Sequence, residues 1–288
     1  MLPREEYVEQ AYFFKTILER LNREITLQDL LDQTKHELLA TAKLPMAIEM
    51  LSAELKLRGV MAKGMAILKH YFSPFQIFVV SEAERDTGRF DLKTALHILH
   101  AEAEYRSQNE SRQGYFFFQF ESICRNRLSY DRGLKAMSED NAYDANWSEW
   151  LLIVRRQLGL VDLADLIYVR SQEYEDRRQR QAGGENIGGP EAPILFGVKE
   201  GKIAAANHRK DPLFLFAAMQ RHLGYPTVPR IEAPDPLPQL LPQLMRRVER
   251  LETRLKLMEE EQRQGIDITK FYSGLGGKKF EFPADDVE

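Results

Sequence analysis

Residues 115–127 read YFFFQFESICRNR, and no other window of the chain is as apolar and as aromatic while carrying fixed charges. At about 100° per residue, Phe116, Phe120, Ile123 and Cys124 fall on one side of a helix, with Phe117 and Leu128 at its margin, so the spacing predicts a broad buried stripe. Arg127 lands in that stripe. A guanidinium on an apolar face is costly unless it is paired and hydrogen-bonded, which makes Asp131, one turn later, its expected partner. Two readings follow. In the first, the window is a core helix whose last turn is tied down by an ion pair. In the second, Glu121 and Arg127 are polar groups in an apolar cleft that grips a ligand or performs catalysis.

Outward from this helix, composition sets the bounds. A chain of 288 residues, 43% hydrophobic and 29% charged, is long enough for one large or two modest globular domains without disulfide help. The net charge of −4 gives no general field that would draw the chain onto nucleic-acid phosphates or anionic lipid. Cys124 is the single cysteine, so no intrachain disulfide forms, and its place in the aromatic stripe predicts a buried, inert thiol in a reducing compartment. The N-terminus MLPREEYVEQ lacks the basic-then-apolar pattern of a signal peptide, and no window approaches 18 uninterrupted apolar residues. The expected location is the cytoplasm.

Helical periodicity dominates the chain. Val8, Tyr12, Phe13, Ile17 and Leu21 recur at helical spacing, and Thr26 stands as the cap of a second helix carrying Leu27, Leu30, Leu31, Leu38 and Leu39. Pro45 opens a third helix and Gly59 ends it, with Met46, Met50 and Leu57 expected in the core. Ser73-Pro74 starts another, Thr87-Gly88 breaks it, and Asp91 caps the helix that carries Leu92, Ala95, Leu96, Leu99 and Ala103. Asn146 and Glu149 suggest a capping box, Gly159 a stop, and Asp162 the cap of a helix running towards Arg180.

The later chain is punctuated differently. QAGGENIGGPE, residues 181–191, reads as a flexible linker. PILFGV and KIAAA flank Glu200-Gly201, a two-residue turn suited to a β-hairpin, and Asp211-Pro212 opens a helix that Gly224 stops. The predicted fold is therefore mainly α, with one small β-hairpin and a C-terminal coiled coil. Residues 1–180 form a helical body and 181–192 a glycine-rich linker. Residues 193–224 hold the hairpin and a helix packed on the body. Then come a proline-rich spacer at 225–242, a coiled-coil helix at 243–263 and a flexible tail at 264–288.

The coiled coil has a definite register. Leu241, Val248 and Leu255 take the a positions and Leu244, Leu251 and Met258 the d positions. In a parallel pair each g position meets the following e position of the partner, which sets Arg247 against Glu252 and Arg254 against Glu259. The alternative is that this amphipathic helix folds back onto its own domain.

Chemical motifs are weak. His97, His100 and Glu104 have a spacing that places metal ligands on one side of a helix, but His97 and Glu104 point away from the buried stripe and neither HExxH nor ExxH is present. His208, Arg209 and Lys210 precede a helix N-terminus and could bind an anion, although Asp211 already supplies a cap there. The pairs Asp162/Asp165 and Asp140/Asp144 are explained by a cap and a loop. No nucleotide-binding or nucleophile motif is found, no metal or cofactor is implied, and the balance is against an enzyme.

Two blocks, FESICRNRLSYDRGL and the run from Phe196 to Tyr225, resemble segments of an uncharacterised bacterial protein family with no assigned function. That resemblance implies no activity, cofactor or site residue. The expectation that best fits the whole pattern is a cytoplasmic scaffold or adaptor that forms a homodimer or small homo-oligomer and presents its body to a protein partner. The alternative is a helical ligand-binding protein or enzyme with a pocket near Glu121 and Arg127.

Overall fold

The computed structural model describes residues 2–21, 25–39, 43–85, 90–108, 111–181, 190, 192–230 and 237–263. Among them are fourteen helices and no strand. Thr87-Gly88, most of the expected linker and the expected tail lie outside the described residues. The chain divides into two compact units, Met1–Ile231 and Glu232–Glu288.

The first unit opens with α1 (Arg4–Arg20), α2 (Leu27–Thr34), α3 (Leu44–Arg58) and α4 (Met61–Ile67). Thr26 caps α2 by accepting from Asp29 N, and Gly59 ends α3 at φ 71°. The expected faces shift, however. Phe13, Phe14, Ile17 and Leu18 are the buried side of α1, while Val8 and Tyr12 are exposed. In α3, Ile48, Leu51 and Leu55 are buried, whereas Met46 and Leu57 stand out in solvent.

Next come α5 (Pro74–Ala83) and α6 (Leu92–Ser107), which carries one wall of the site described below. A capping box between Ser73 and Gln76 starts α5, and Asp91 caps α6 through Thr94 N at 2.7 Å. The long helices α1 and α6 pack against each other.

The aromatic helix α7 (Arg112–Arg125) is buried on all sides from Gly114 to Ile123, so it is the central pillar of the core and not an amphipathic element with one stripe. Phe116 stacks on Phe120 at 5.6 Å and meets the edge of Trp150 at 5.0 Å. Its C-terminus corrects the reading of Arg127. Leu128 N bonds Ile123 O at 3.0 Å, Arg127 N bonds Cys124 O at 3.3 Å, and Arg127 has φ 53°. This is the Schellman end of a helix, with arginine at the left-handed position that glycine usually holds. Arg127 therefore leaves the helical stripe and is exposed.

After α7 come α8 (Tyr130–Ser138) and α9 (Ala145–Gln157), the latter capped by Asp144 and not by Asn146. The helix expected from Asp162 to Arg180 is two, α10 (Leu163–Tyr168) and α11 (Gln172–Gln181), broken where Ser171 bridges Phe196.

The expected hairpin is a helix, α12 (Val198–Ala206), and Glu200-Gly201 lies inside it. Short apolar runs suit a buried helix as well as a strand, and here the run forms a helix whose Gly201 touches Ser171 and Glu173. In α13 (Pro212–Leu223), Leu215, Phe216 and Met219 are buried, and Leu213 and Phe214 are exposed.

The first part of the expected spacer belongs to the core. Tyr225 and Val228 are buried, and Asn126 Nδ2 donates to Pro229 O at 3.0 Å. In the second unit, α14 (Leu237–Arg263) starts ahead of Pro242 and passes through it.

Candidate functional site

The chemistry-bearing cluster of the body is built from α6, α7 and the chain after α8. Glu102 and Arg106 stand one turn apart on α6, and Tyr115 and Gln119 one turn apart on α7. Arg106 donates to Asp140 Oδ2 at 2.6 Å and lies 3.3 Å from Glu102 Oε1. Glu102 Oε1 also accepts from the Tyr115 hydroxyl at 2.7 Å and from Gln119 Nε2 at 2.9 Å. Tyr143 extends the network by donating to Gln119 Oε1 at 2.8 Å. The Arg106 guanidinium lies over the Tyr115 ring at 4.4 Å and over Tyr7 at 5.6 Å.

Two carboxylates thus face one guanidinium in a buried setting. Burial pushes the Glu102 carboxyl above its ordinary range; Arg106 opposes that shift and Asp140 adds to it. Burial by itself would lower Arg106, but Asp140 and Glu102 hold it charged. The arrangement is a neutral Arg106–Asp140 ion pair with Glu102 as the group inclined to keep its proton. Glu102 Oε2 and Arg106 Nε have no hydrogen-bond partner among the described residues.

Arg106 also reaches the surface. A cavity of about 470 Å³ is lined by Arg4, Tyr7, Tyr105, Arg106, Arg112 and Tyr115, together with Leu2, Ser107, Gln108 and Ala142. A smaller one of about 70 Å³ borders Arg106 and Asp140 from the side of His70 and Tyr71.

The candidates read from sequence are placed differently. Glu121 is buried, but it pairs with Arg125, and its Oε2 lies 2.7 Å from the Tyr225 hydroxyl. Asp131, expected to hold Arg127, is taken by Arg155 at 2.6 and 2.9 Å. Phe120 is buried against Phe116 and Phe216, with the partly exposed Tyr130 at its outer side. Glu121 and Arg127 are therefore not brought together in a cleft, and the cavities of about 470 and 500 Å³ are lined by other residues. Cys124 is half-buried, with its thiol pushed up to about 12 by burial, which agrees with an inert cysteine.

His97 and Glu104 are exposed, while His100 Nδ1 sits 3.0 Å from Ala11 O and its other nitrogen 3.9 Å from Glu104. Three potential ligands do meet elsewhere: Asp162, Asp165 and His208. Each is accounted for, since Asp162 caps α10 and accepts from Arg209 N at 2.6 Å, and His208 Nδ1 lies 2.6 Å from Asp165. Two features that looked separate in sequence, the acid pair and the basic turn, are hydrogen-bonded to each other.

Glu102 and Arg106 carried a readable signal: they continue the Ala95 and Leu99 spacing onto the buried face of α6. Nothing local placed Asp140 against them. Comparison with protein-family models, curated proteins and solved structures gave no match. Among the described residues no helix is long and apolar enough to cross a membrane.

Proposed function

We propose that the chain is a self-associating scaffold or adaptor, in which two copies pair through α14 as a parallel, in-register coiled coil and each carries a helical body. The observation that carries this reading is the apolar stripe of α14. Leu244, Val248, Leu251, Leu255 and Met258 are between 51% and 62% exposed. The side chain of the remaining stripe residue, Leu241, lies outside the described residues. An unbroken a/d seam open to water along a helix of 27 residues is what a second copy would cover.

Charge supports the same occupant. A parallel pair sets Arg247 against Glu252 and Arg254 against Glu259, with no like-charge contact among these positions. Pro242 has no N–H for the helix ladder, so the regular seam follows it and spans about three heptads. Helices of that length are marginal alone, which ties their order to association.

Sedimentation of the whole chain and of Leu251→Asp tests the proposal. The wild type is expected to be dimeric at concentrations on the order of tens of micromolar, and the variant monomeric with an unchanged circular dichroism spectrum for the body. A wild-type chain that sediments as a monomer in that range removes the self-association reading.

A further inference from the structure

The cavity beside Arg106 shares no residue with the α14 seam, and its lining has an electrostatic character that folding alone does not favour. Arg4 is the first residue of α1 and Arg112 the first of α7. A cation at a helix N-terminus is repelled by the partial positive charge of the unpaired N–H groups. Pro3 supplies no side-chain cap to α1, so those donors are not covered by a side chain. Arg106, with its side chain 7% exposed, adds a third guanidinium to the same wall. The N-terminus of α7 is capped by Ser111, which accepts from Gly114 N at 3.1 Å, so it is the uncapped start of α1 together with three arginines on one concavity that favours a bound anion.

Charge and shape together select the anion. Arg106 is balanced by Asp140 and Arg112 by Asp144 at 2.5 Å, while Arg4 has no carboxylate partner among the described residues. Among the described residues of the lining, Arg4 is thus the one arginine left for an incoming anion to pair, which suits a monoanion better than a phosphate dianion. The rest of the wall is mostly aromatic and apolar, from Tyr7, Tyr105 and Tyr115 to Leu2 and Ala142, with Ser107 and Gln108 as its neutral polar members. At about 470 Å³ the cavity falls in the range of small-molecule sites, roughly 300–1,000 Å³. We infer that this cavity binds a small aromatic carboxylate, with the carboxylate at Arg4 and Arg112 and the ring among the three tyrosines.

Isothermal titration calorimetry of the full chain with phenylacetate, phenylacetamide and inorganic phosphate tests the inference. Phenylacetate should bind with Kd below about 1 mM, the isosteric amide at least about tenfold more weakly, and phosphate without measurable heat. Arg4→Gln removes the arginine that has no carboxylate partner among the described residues, at an exposed position, and should bring the acid down to the affinity of the amide. Gln108→Trp adds bulk from an exposed residue of the lining and should abolish binding, with the melting temperature of both variants unchanged. The inference is overturned by no binding of phenylacetate to the wild type, by phosphate or the amide binding as well as the acid, or by either folded variant leaving the Kd unchanged.

Discussion

Glu102 accepts from Tyr115 and Gln119 through one oxygen, while its other oxygen has no partner among the described residues and burial raises its pKa. The folded chain therefore holds this proton to a higher pH than the unfolded chain does. The stability it contributes is complete below the ordinary value of 4.5 and is lost as pH rises through the folded value. Asp32, Glu37 and Asp131 act in the opposite sense, because hydrogen bonds from Lys56, Arg20 and Arg155 hold them low, so their contribution is lost as pH falls. Those groups cancel when wild type is compared with Glu102→Gln, an amide of the same shape that stays neutral throughout. Urea denaturation across pH 4 to 8 should show the variant gaining on the wild type as pH rises. A difference that stays flat would mean that Glu102 ionises in the fold as it does in the unfolded chain. The buried acid was legible as a position on the α6 face, but its state was not, since that depends on Asp140 arriving from 38 residues further along the chain. Arg127 was misplaced for a related reason: periodicity assigns a face without saying where the helix stops, and α7 stops at Arg125.

At the scale of elements, local chemistry was the readable part. Thr26, Ser73, Asp91, Asp162 and Asp211 all act as the N-caps that their residue types suggest, and Gly59 and Gly224 end their helices in the left-handed conformation. What misled was Gly201, whose glycine is needed for packing and not for a turn. A Cβ there would lie 2.4 Å from Ser171 Oγ, 2.7 Å from Ser171 Cβ and 2.8 Å from Glu173 Cβ. Alanine in a helix interior normally gains about 1 kcal/mol over glycine, while overpacking costs about 1–3 kcal/mol. The contact distances decide in favour of the clash, because the atoms met are at or next to the backbone. Gly201→Ala is expected to lower stability by about 1–2 kcal/mol, read as a lower urea midpoint at unchanged slope. An unchanged or raised midpoint would show that α12 does not approach α11 this closely. The faces of α1, α3 and α13 were less legible than their ends, since each presents more apolar residues than the core takes up.

At the scale of the whole molecule, the boundary of the body depends on Tyr225. Composition alone placed the break where the prolines begin, yet Tyr225 stacks on Phe117 with ring centroids 6.3 Å apart and its hydroxyl meets buried Glu121. Val228 is buried as well, and the Pro229 carbonyl holds Asn126, so the chain stays attached to the core as far as Pro229, and the first compact unit runs to Ile231. A chain of residues 1–231 should therefore melt cooperatively at the temperature of the body in the full-length protein. One ending at residue 224 loses the Tyr225 ring from a filled site and removes a hydrogen-bonding partner from Glu121, a loss of about 3–5 kcal/mol by analogy with large-to-small core substitutions. Sedimentation of the same pair bears on association. If α14 is the dimer seam, residues 1–231 must be monomeric where the full chain is dimeric, with no change in the melt. Dimers persisting in the shorter chain would move the interface onto the body, and equal melts for the two truncations would show that the Tyr225–Glu121 contact adds nothing to the core.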